Sequence, residues 1–307
     1  MNRASLLIGA AALLLAAAGC EPERKFSTTE GSVTVQCDES VLPVLRLAAE
    51  DFERSYEKAR VRLQAAPARS AIAAFAADSV RRIVTARPLN AEERRALSGG
   101  AIELQEYELA LDGIAVIVHR NNTLRQLRMG MLDSIYSGTV THWPGRRGGV
   151  IDLAVGDVNS STNEVFRTLA LKGRPITPSA TPFEASDGLI DYVRDRPDAL
   201  GIVGLAWLHG READVAVVAL GTPGFRPDTT EPPGRFYLPL QAHLHRRYYP
   251  LTRTLTCYNR EVLRDVGYGF ISYLTSATGQ KLFLNNGLVP KTMPVRLIET
   301  TSKEVNS

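Results

Sequence analysis

Past residue 31 the chain alternates short, β-branched apolar runs with longer stretches whose apolar positions recur every three or four residues. These are the periods of strands and of one-faced helices. Residues 32–36 (SVTVQ) read as a strand and 44–58 as a helix, with Leu45, Leu47, Ala48, Phe52 and Tyr56 near helical spacing. Strands are expected at 61–64 and 82–85, a short helix at 71–77, and a helix opened by Asn90 as N-cap with Glu93 three residues later. Residues 109–118 (LALDGIAVIV) are nearly all apolar, the mark of a buried strand, with a tight bend at Asp112-Gly113 where the chain is expected to cross between domains. Further strands are expected at 150–155 and 215–220, an apolar run at 199–208, and helices at 163–171 and 188–194. A Pro- and Gly-rich surface loop at 221–234 leads through 236–240 and 251–258, where the return crossing is placed. Helices at 261–275 and 277–285 close the body. This order predicts an α/β architecture with a largely parallel sheet.

The first 20 residues break the pattern. Arg3 is their only charge, and the apolar heart at 6–18 is 13 residues, short for a span of the ~30 Å hydrocarbon core but suited to a secretory signal. The ending AAGC at 17–20 resembles a bacterial lipobox, in which cleavage leaves Cys20 as an acylated amino terminus; the alternative is an ordinary cleaved signal with a chance cysteine. Lipidation would hold the protein to the cell envelope. Polar residues 21–31 read as a flexible tether and 299–307 as a polar tail.

At 307 residues, 44% hydrophobic and 22% charged, the chain has material for two cores, which excludes disorder as its main character. Thirty-six Lys and Arg against 33 Asp and Glu are interleaved, leaving +3 and no nucleic-acid footprint. Three cysteines in no CxxC pair exclude a disulfide scaffold and a structural zinc, and whether Cys37 and Cys257 approach within the ~7 Å a disulfide needs is open. His243 and His245 would share one side of a strand, but no acid or cysteine lies near them, so the segment reads as exposed and basic, without metal. Gly267-Tyr268-Gly269 lacks the rest of a nucleotide loop. No G-x-S-x-G or H-E-x-x-H is present, so neither an enzyme nor a cofactor is expected.

Four separated stretches resemble the phosphate-binding, PstS-type receptors of ABC importers. Residues 110–122 (ALDGIAVIVHRNN) are similar to that family's apolar strand, and Leu132, Ile135, Tyr136, Ser137, Gly138, Thr141 and Trp143 to its I-[FY]-S-G-x-x-T-x-W signature. Ser276, Gly279, Gln280, Gly287 and Pro290 resemble its closing segment. The resemblance implies a type II periplasmic-binding-protein fold, two α/β lobes joined by two crossing strands. Lobe one would comprise 32–113 with 246–298, and lobe two 114–245.

It also implies ligand loops, in which helix amino termini, hydroxyls and an arginine gather round an oxyanion. The family's G-S-T-T-V-x-P falls on residues 37–43 (CDESVLP), where Ser40 keeps a hydroxyl while Asp38 and Glu39 bring carboxylates that would repel phosphate unless one accepts a bond from a protonated oxygen. Ser70, with Arg69 beside it, matches the second loop, and Thr85 with Arg87 the third, although Arg87 could instead be salt-bridged within the structure. The fourth, R-x-[DS]-G-S-G-T, falls on 156–162: Ser160, Ser161 as a backbone donor, and Thr162 remain, whereas Gly156, Val158 and Asn159 replace the arginine, an acidic or polar residue and a glycine. Ser161 with Glu164 could alternatively be a capping box. The implied function is a monomeric, exported, membrane-anchored receptor for phosphate or a related tetrahedral oxyanion, serving an ABC permease at the periplasmic face. The rival is a lipoprotein of the same fold whose pocket is degenerate and which acts as an envelope sensor or assembly partner; carboxylates turned into the cleft with no guanidinium within reach would favour it, and an Arg87 side chain aimed at the cleft would favour the receptor.

Overall fold

The computed structural model describes residues 26–98, 103–143, 149–226 and 232–292; the signal segment, Cys20, tether residues 21–25 and the polar tail lie outside the described residues. In chain order the strands are β1 (Gly31–Asp38), β2 (Ala59–Ala66), β3 (Arg82–Thr85), β4 (Gln105–His119), β5 (Gln126–Arg128), β6 (Asp152–Gly156), β7 (Thr181–Phe183), β8 (Ala199–Gly204), β9 (Val215–Val217), β10 (Ala219–Gly221), β11 (Phe236–Tyr237), β12 (Thr252–Asn259) and β13 (Val289–Pro290). The helices are α1 (Leu42–Ser55), α2 (Ala68–Ala76), α3 (Ala91–Ser98), α4 (Met129–Tyr136), α5 (Ser161–Ala170), α6 (Ser186–Asp195), α7 (Gln241–His245), α8 (Val266–Thr275) and α9 (Ala277–Asn285).

The main sheet runs β2-β1-β3-β12-β4-β8-β6-β7, with β13 and β9 also on β4. Its flanks are parallel, β1 with β2 and β3 in one half and β6 with β7 and β8 in the other, while β12 and β4 run antiparallel to their neighbours. β4 threads both halves: up to Gly113 it pairs with β12, and from Ile114 with β8. The expected bend at Asp112-Gly113 is therefore an exchange of partners within one 15-residue strand. Backbone pairing continues through both residues, so breaking the strand there would only strand polar groups.

Each half has its own core. In the first, Leu45 and Phe52 of α1 meet Val35, Leu255, Phe270 and Phe283, with Phe52 edge-on to Phe270 at 5.5 Å between centroids. Ile72, Phe75, Leu97 and Tyr258 fill the other face of that sheet. In the second half Val116, Tyr136 and Phe166 form one core and Ile117, Leu189 and Val193 another. Tyr248, Tyr249 and Leu251 pack in the second half, so its packing extends to about residue 251.

Several local expectations are revised. Residues 215–220 divide at Val218, β9 joining β4 and β10 lying between β5 and β11. Residues 241–245 form a helical turn, which sets the His243 and His245 rings about 200° apart rather than on one side of a strand. The GYG segment is a packing device, since a Cβ at Gly267 would stand 2.4 Å from the Arg82 guanidinium and one at Gly269 2.0 Å from the Thr28 carbonyl. Cys37 and Cys257 are both free and buried. They flank Val84 from opposite sides on β3, which puts their Cα atoms two strand spacings, about 10 Å, apart and beyond disulfide reach.

Candidate functional site

Two strand-to-helix connections from opposite halves meet at one carboxylate. β1 ends at Asp38 and turns through the 3-10 turn Glu39–Val41 into α1; β6 leads through residues 157–160 into α5. Asp38 is fully buried. Its Oδ1 accepts from the Ser40 amide at 2.9 Å and from the Ser40 hydroxyl. Its Oδ2 accepts from the Ser161 amide at 3.0 Å and from the Ser161 hydroxyl. The Ser161 hydroxyl also accepts from the Ala86 amide at 3.2 Å, tying α5 to the end of β3. Amides at a helix start have no intrahelical acceptor, so such convergence suits an oxyanion; here the anion is the chain's own side chain.

Beside this cluster lies Arg253, which the sequence reading did not single out. Its Nη2 donates to the Ser40 hydroxyl at 3.1 Å, its Nη1 to the Thr162 hydroxyl at 3.0 Å, and its Nε to Asp112 Oδ2 at 2.7 Å. Both members of the ion pair are buried, and Asp112 Oδ1 has no hydrogen-bond partner. Gly204 leaves room for them: a Cβ there would stand 2.5 Å from Arg253 Nη2 and 2.8 Å from the Ser40 carbonyl oxygen. A trace of Arg253 exists in the sequence. Leu251, Arg253, Leu255 and Cys257 alternate along the return strand, and all are buried, so the arginine occupies a core-facing position. Asp112 likewise interrupts an apolar run, and the antiparallel register sets the two opposite each other.

Of the residues expected from sequence, Ser40, Ser161 and Thr162 come together here. Ser160 is the N-cap of α5, accepting from the Asn163 amide at 3.2 Å. The proposed box of Ser161 with Glu164 is thus displaced by one residue, because Ser161 faces Asp38 and Glu164 reaches Arg69 and Arg87. Thr85 turns to its own loop and donates to the Arg87 carbonyl at 2.8 Å. Arg87 forms a fork with Glu93, at 2.8 and 2.7 Å, and pairs through Nε with Glu164 of the other half. Burial disfavours its charge, yet Glu93 and Glu164 outweigh that and hold its pKa above the usual range. Ser70 is exposed on α2, while the neighbouring Arg69 bridges the halves by its amide to the Asn159 carbonyl (3.1 Å) and its guanidinium to Glu164 (2.8 and 3.0 Å).

Glu39 also crosses the interface, accepting from the Ser186 amide at 2.8 Å and the Ser186 hydroxyl at 2.9 Å. Burial pushes its carboxyl above the usual range, against the Ser186 hydrogen bonds and with help from Asp38 and Asp187. Next to it opens a cleft of about 390 Å³ lined by Glu39, Asp157, Glu184 and Asp187 with Arg46 as the cation, and by Gly156, where the resemblance would have an arginine. Among the described residues no group of His, Cys, Asp and Glu is placed to hold a metal, and no helix is long and apolar enough to cross a membrane.

Two α/β halves joined by two crossing strands, with a polar site where connections from both halves meet, define the type II periplasmic-binding-protein fold, a class that closes around small solutes by hinge motion. The chain belongs to the PBP superfamily, whose domain profile matches residues 24–278. It is similar to the phosphate-binding protein PstS of Bacillus subtilis, with 23% identity over 299 residues covering 94% of this chain and 93% of that protein. PstS of Pseudomonas aeruginosa is 23% identical over 329 residues, covering 97% and 94%. Among solved structures, one from Clostridium perfringens, described as a phosphate ABC transporter substrate-binding protein with bound phosphate, superposes with TM-score 0.73 at 22% identity, covering 85% of this chain and all of that one. An ABC-type phosphate transport receptor from Vibrio cholerae gives 0.64 at 19% identity, with 85% and 100% covered. The fold is shared with both.

Proposed function

We propose that the protein is an exported, lipid-anchored receptor that captures phosphate, or a related tetrahedral oxyanion, between two lobes and presents it to an ABC permease. One observation carries this reading: amide and hydroxyl donors of Ser40 from one half and Ser161 from the other converge on a single anionic group. Arg253 supplies the positive charge behind them, in the part the resemblance gave to Arg87 and to the arginine absent at Gly156. The likeness to phosphate-binding proteins and to a phosphate ABC transporter substrate-binding protein supports phosphate as the solute and an ABC importer as the partner. The lobes would hinge where β4 and β12 cross.

A second reading, an envelope sensor or assembly partner with a degenerate pocket, is favoured by the Asp38 carboxylate among those donors and by the acid-rich lining of the adjoining cleft. Calorimetric titration separates the two, using refolded protein stripped of carried-over ligand, with sulfate and molybdate as controls. Saturable heat with phosphate is the expected result. A folded protein that gives no heat with any of the three anions would overturn the receptor reading in favour of the second.

A further inference from the structure

Asp38 makes contacts that a helix cap does not need. Capping of the turn at Glu39–Val41 accounts for Oδ1, which accepts from the Ser40 amide two residues on. It does not account for Oδ2, whose amide and hydroxyl donors both come from Ser161, 123 residues away in the other half. One carboxylate thus spends one oxygen on each half. We propose that Asp38 is an internal ligand: its carboxylate takes the place of a solute oxyanion, holds the two halves together without a solute, and must be displaced before a free oxyanion can bind. The displacement step rests on the oxyanion reading above; the closure does not.

Three features support this. The Ser40 and Ser161 amides and hydroxyls all donate to Asp38, so these four donors are engaged. The nearest guanidinium, Arg253, is already balanced by Asp112, so a second anion on the same donors would set like charges together in a buried space. The surrounding contacts hold the same closed arrangement: Arg69 and Arg87 with Glu164, Glu39 with Ser186, and the Trp207 indole with the Glu39 carbonyl at 2.9 Å all join segments distant in sequence. A buried acidic side chain among anion-binding donors is otherwise unfavourable; as an internal ligand it is satisfied on both oxygens.

The test uses the full chain and two variants. Asp38→Ser keeps a capping hydroxyl for the turn but is too short to span both halves. Asp38→Asn keeps the size but has one acceptor oxygen, so it cannot accept from the Ser40 and Ser161 amides at once. Radius of gyration by small-angle X-ray scattering in phosphate-free buffer reads closure, and calorimetry with inorganic phosphate reads displacement. The parent is expected to stay compact with and without phosphate, while both variants expand in phosphate-free buffer. Asp38→Ser is expected to contract on adding phosphate and to bind it at least about tenfold more tightly than the parent, one lost charged hydrogen bond being enough for that factor. A radius unchanged from the parent in either folded variant would overturn the internal ligand, and Asp38→Asn carries this test if Asp38→Ser does not fold. Expansion of the variants without heat from phosphate would uphold the closure and remove phosphate as the solute.

Discussion

The ion pair between Arg253 and Asp112 allows a prediction in which the two single substitutions differ in cost and the double one is mild. The side chains are 1% and 0% exposed. Asp112 Oδ2 accepts from Arg253, and Asp112 Oδ1 has no partner. Arg253→Met therefore leaves a buried carboxylate with none of its present donors. Breaking a buried pair costs about 3–5 kcal/mol, and this variant should sit at the upper end. Asp112→Leu leaves a guanidinium that still donates to Thr162 and Ser40, so its cost should fall near about 3 kcal/mol. The double variant removes both charges and leaves two aliphatic chains of similar reach, for which about 1.5 kcal/mol or less is expected. Urea unfolding followed by far-ultraviolet circular dichroism measures all three, and the cycle should return a coupling of at least about 3 kcal/mol. A double variant as unstable as the sum of the singles would refute the reasoning, because the cost would then lie in lost packing rather than in an unpaired charge.

Other outcomes follow from single side chains. Glu39 has its folded pKa above its unfolded value, so its contribution to stability is fully present below the unfolded value and is lost as pH rises through the folded one. Glu39→Gln should accordingly be more stable than the parent at neutral pH, with the gap closing in thermal melts taken toward acid; a gap that widens toward acid would contradict the assignment. Burial pushes the Cys37 and Cys257 thiols up to about 12, with Asp38 adding to the effect at Cys37. Neither should react with iodoacetamide until urea unfolds the chain, and labelling of the folded protein at either position would be the contrary result. Gly204→Ala should cost about 1–3 kcal/mol in the same urea assay and weaken any phosphate binding, since its methyl group would meet Arg253 and the Ser40 carbonyl; a variant equal to the parent would count against the close approach.

Much of the architecture was legible in the pattern of residues. The apolar strand at 109–118, the helices around Phe52 and Phe283, and the alternation of the two periods follow from local chemistry: a strand buried on both faces must be apolar throughout, and a helix on a sheet must be apolar on one side. Hydroxyls at the start of α5 were legible too, because unpaired amides recruit Ser and Thr wherever a helix begins. The candidate site was legible only in part. Ser40, Ser161 and Thr162 lie in the loops that resemble a known family, and they do meet. Arg87 carries the right charge in the right loop, yet it is engaged by Glu93 and Glu164, because a guanidinium takes the carboxylates within reach.

What the sequence alone determined is each residue's local habit: which segments form strands or helices, which faces are apolar, and which loops hold donors. Partnership was left to the tertiary structure. Arg253 meets Asp112 because of the register between β12 and β4, and Asp38 meets Ser161 because the halves close across 123 residues of chain. Both contacts are electrostatic and short-ranged, so their energies depend on a few ångströms of placement that no run of neighbouring residues encodes.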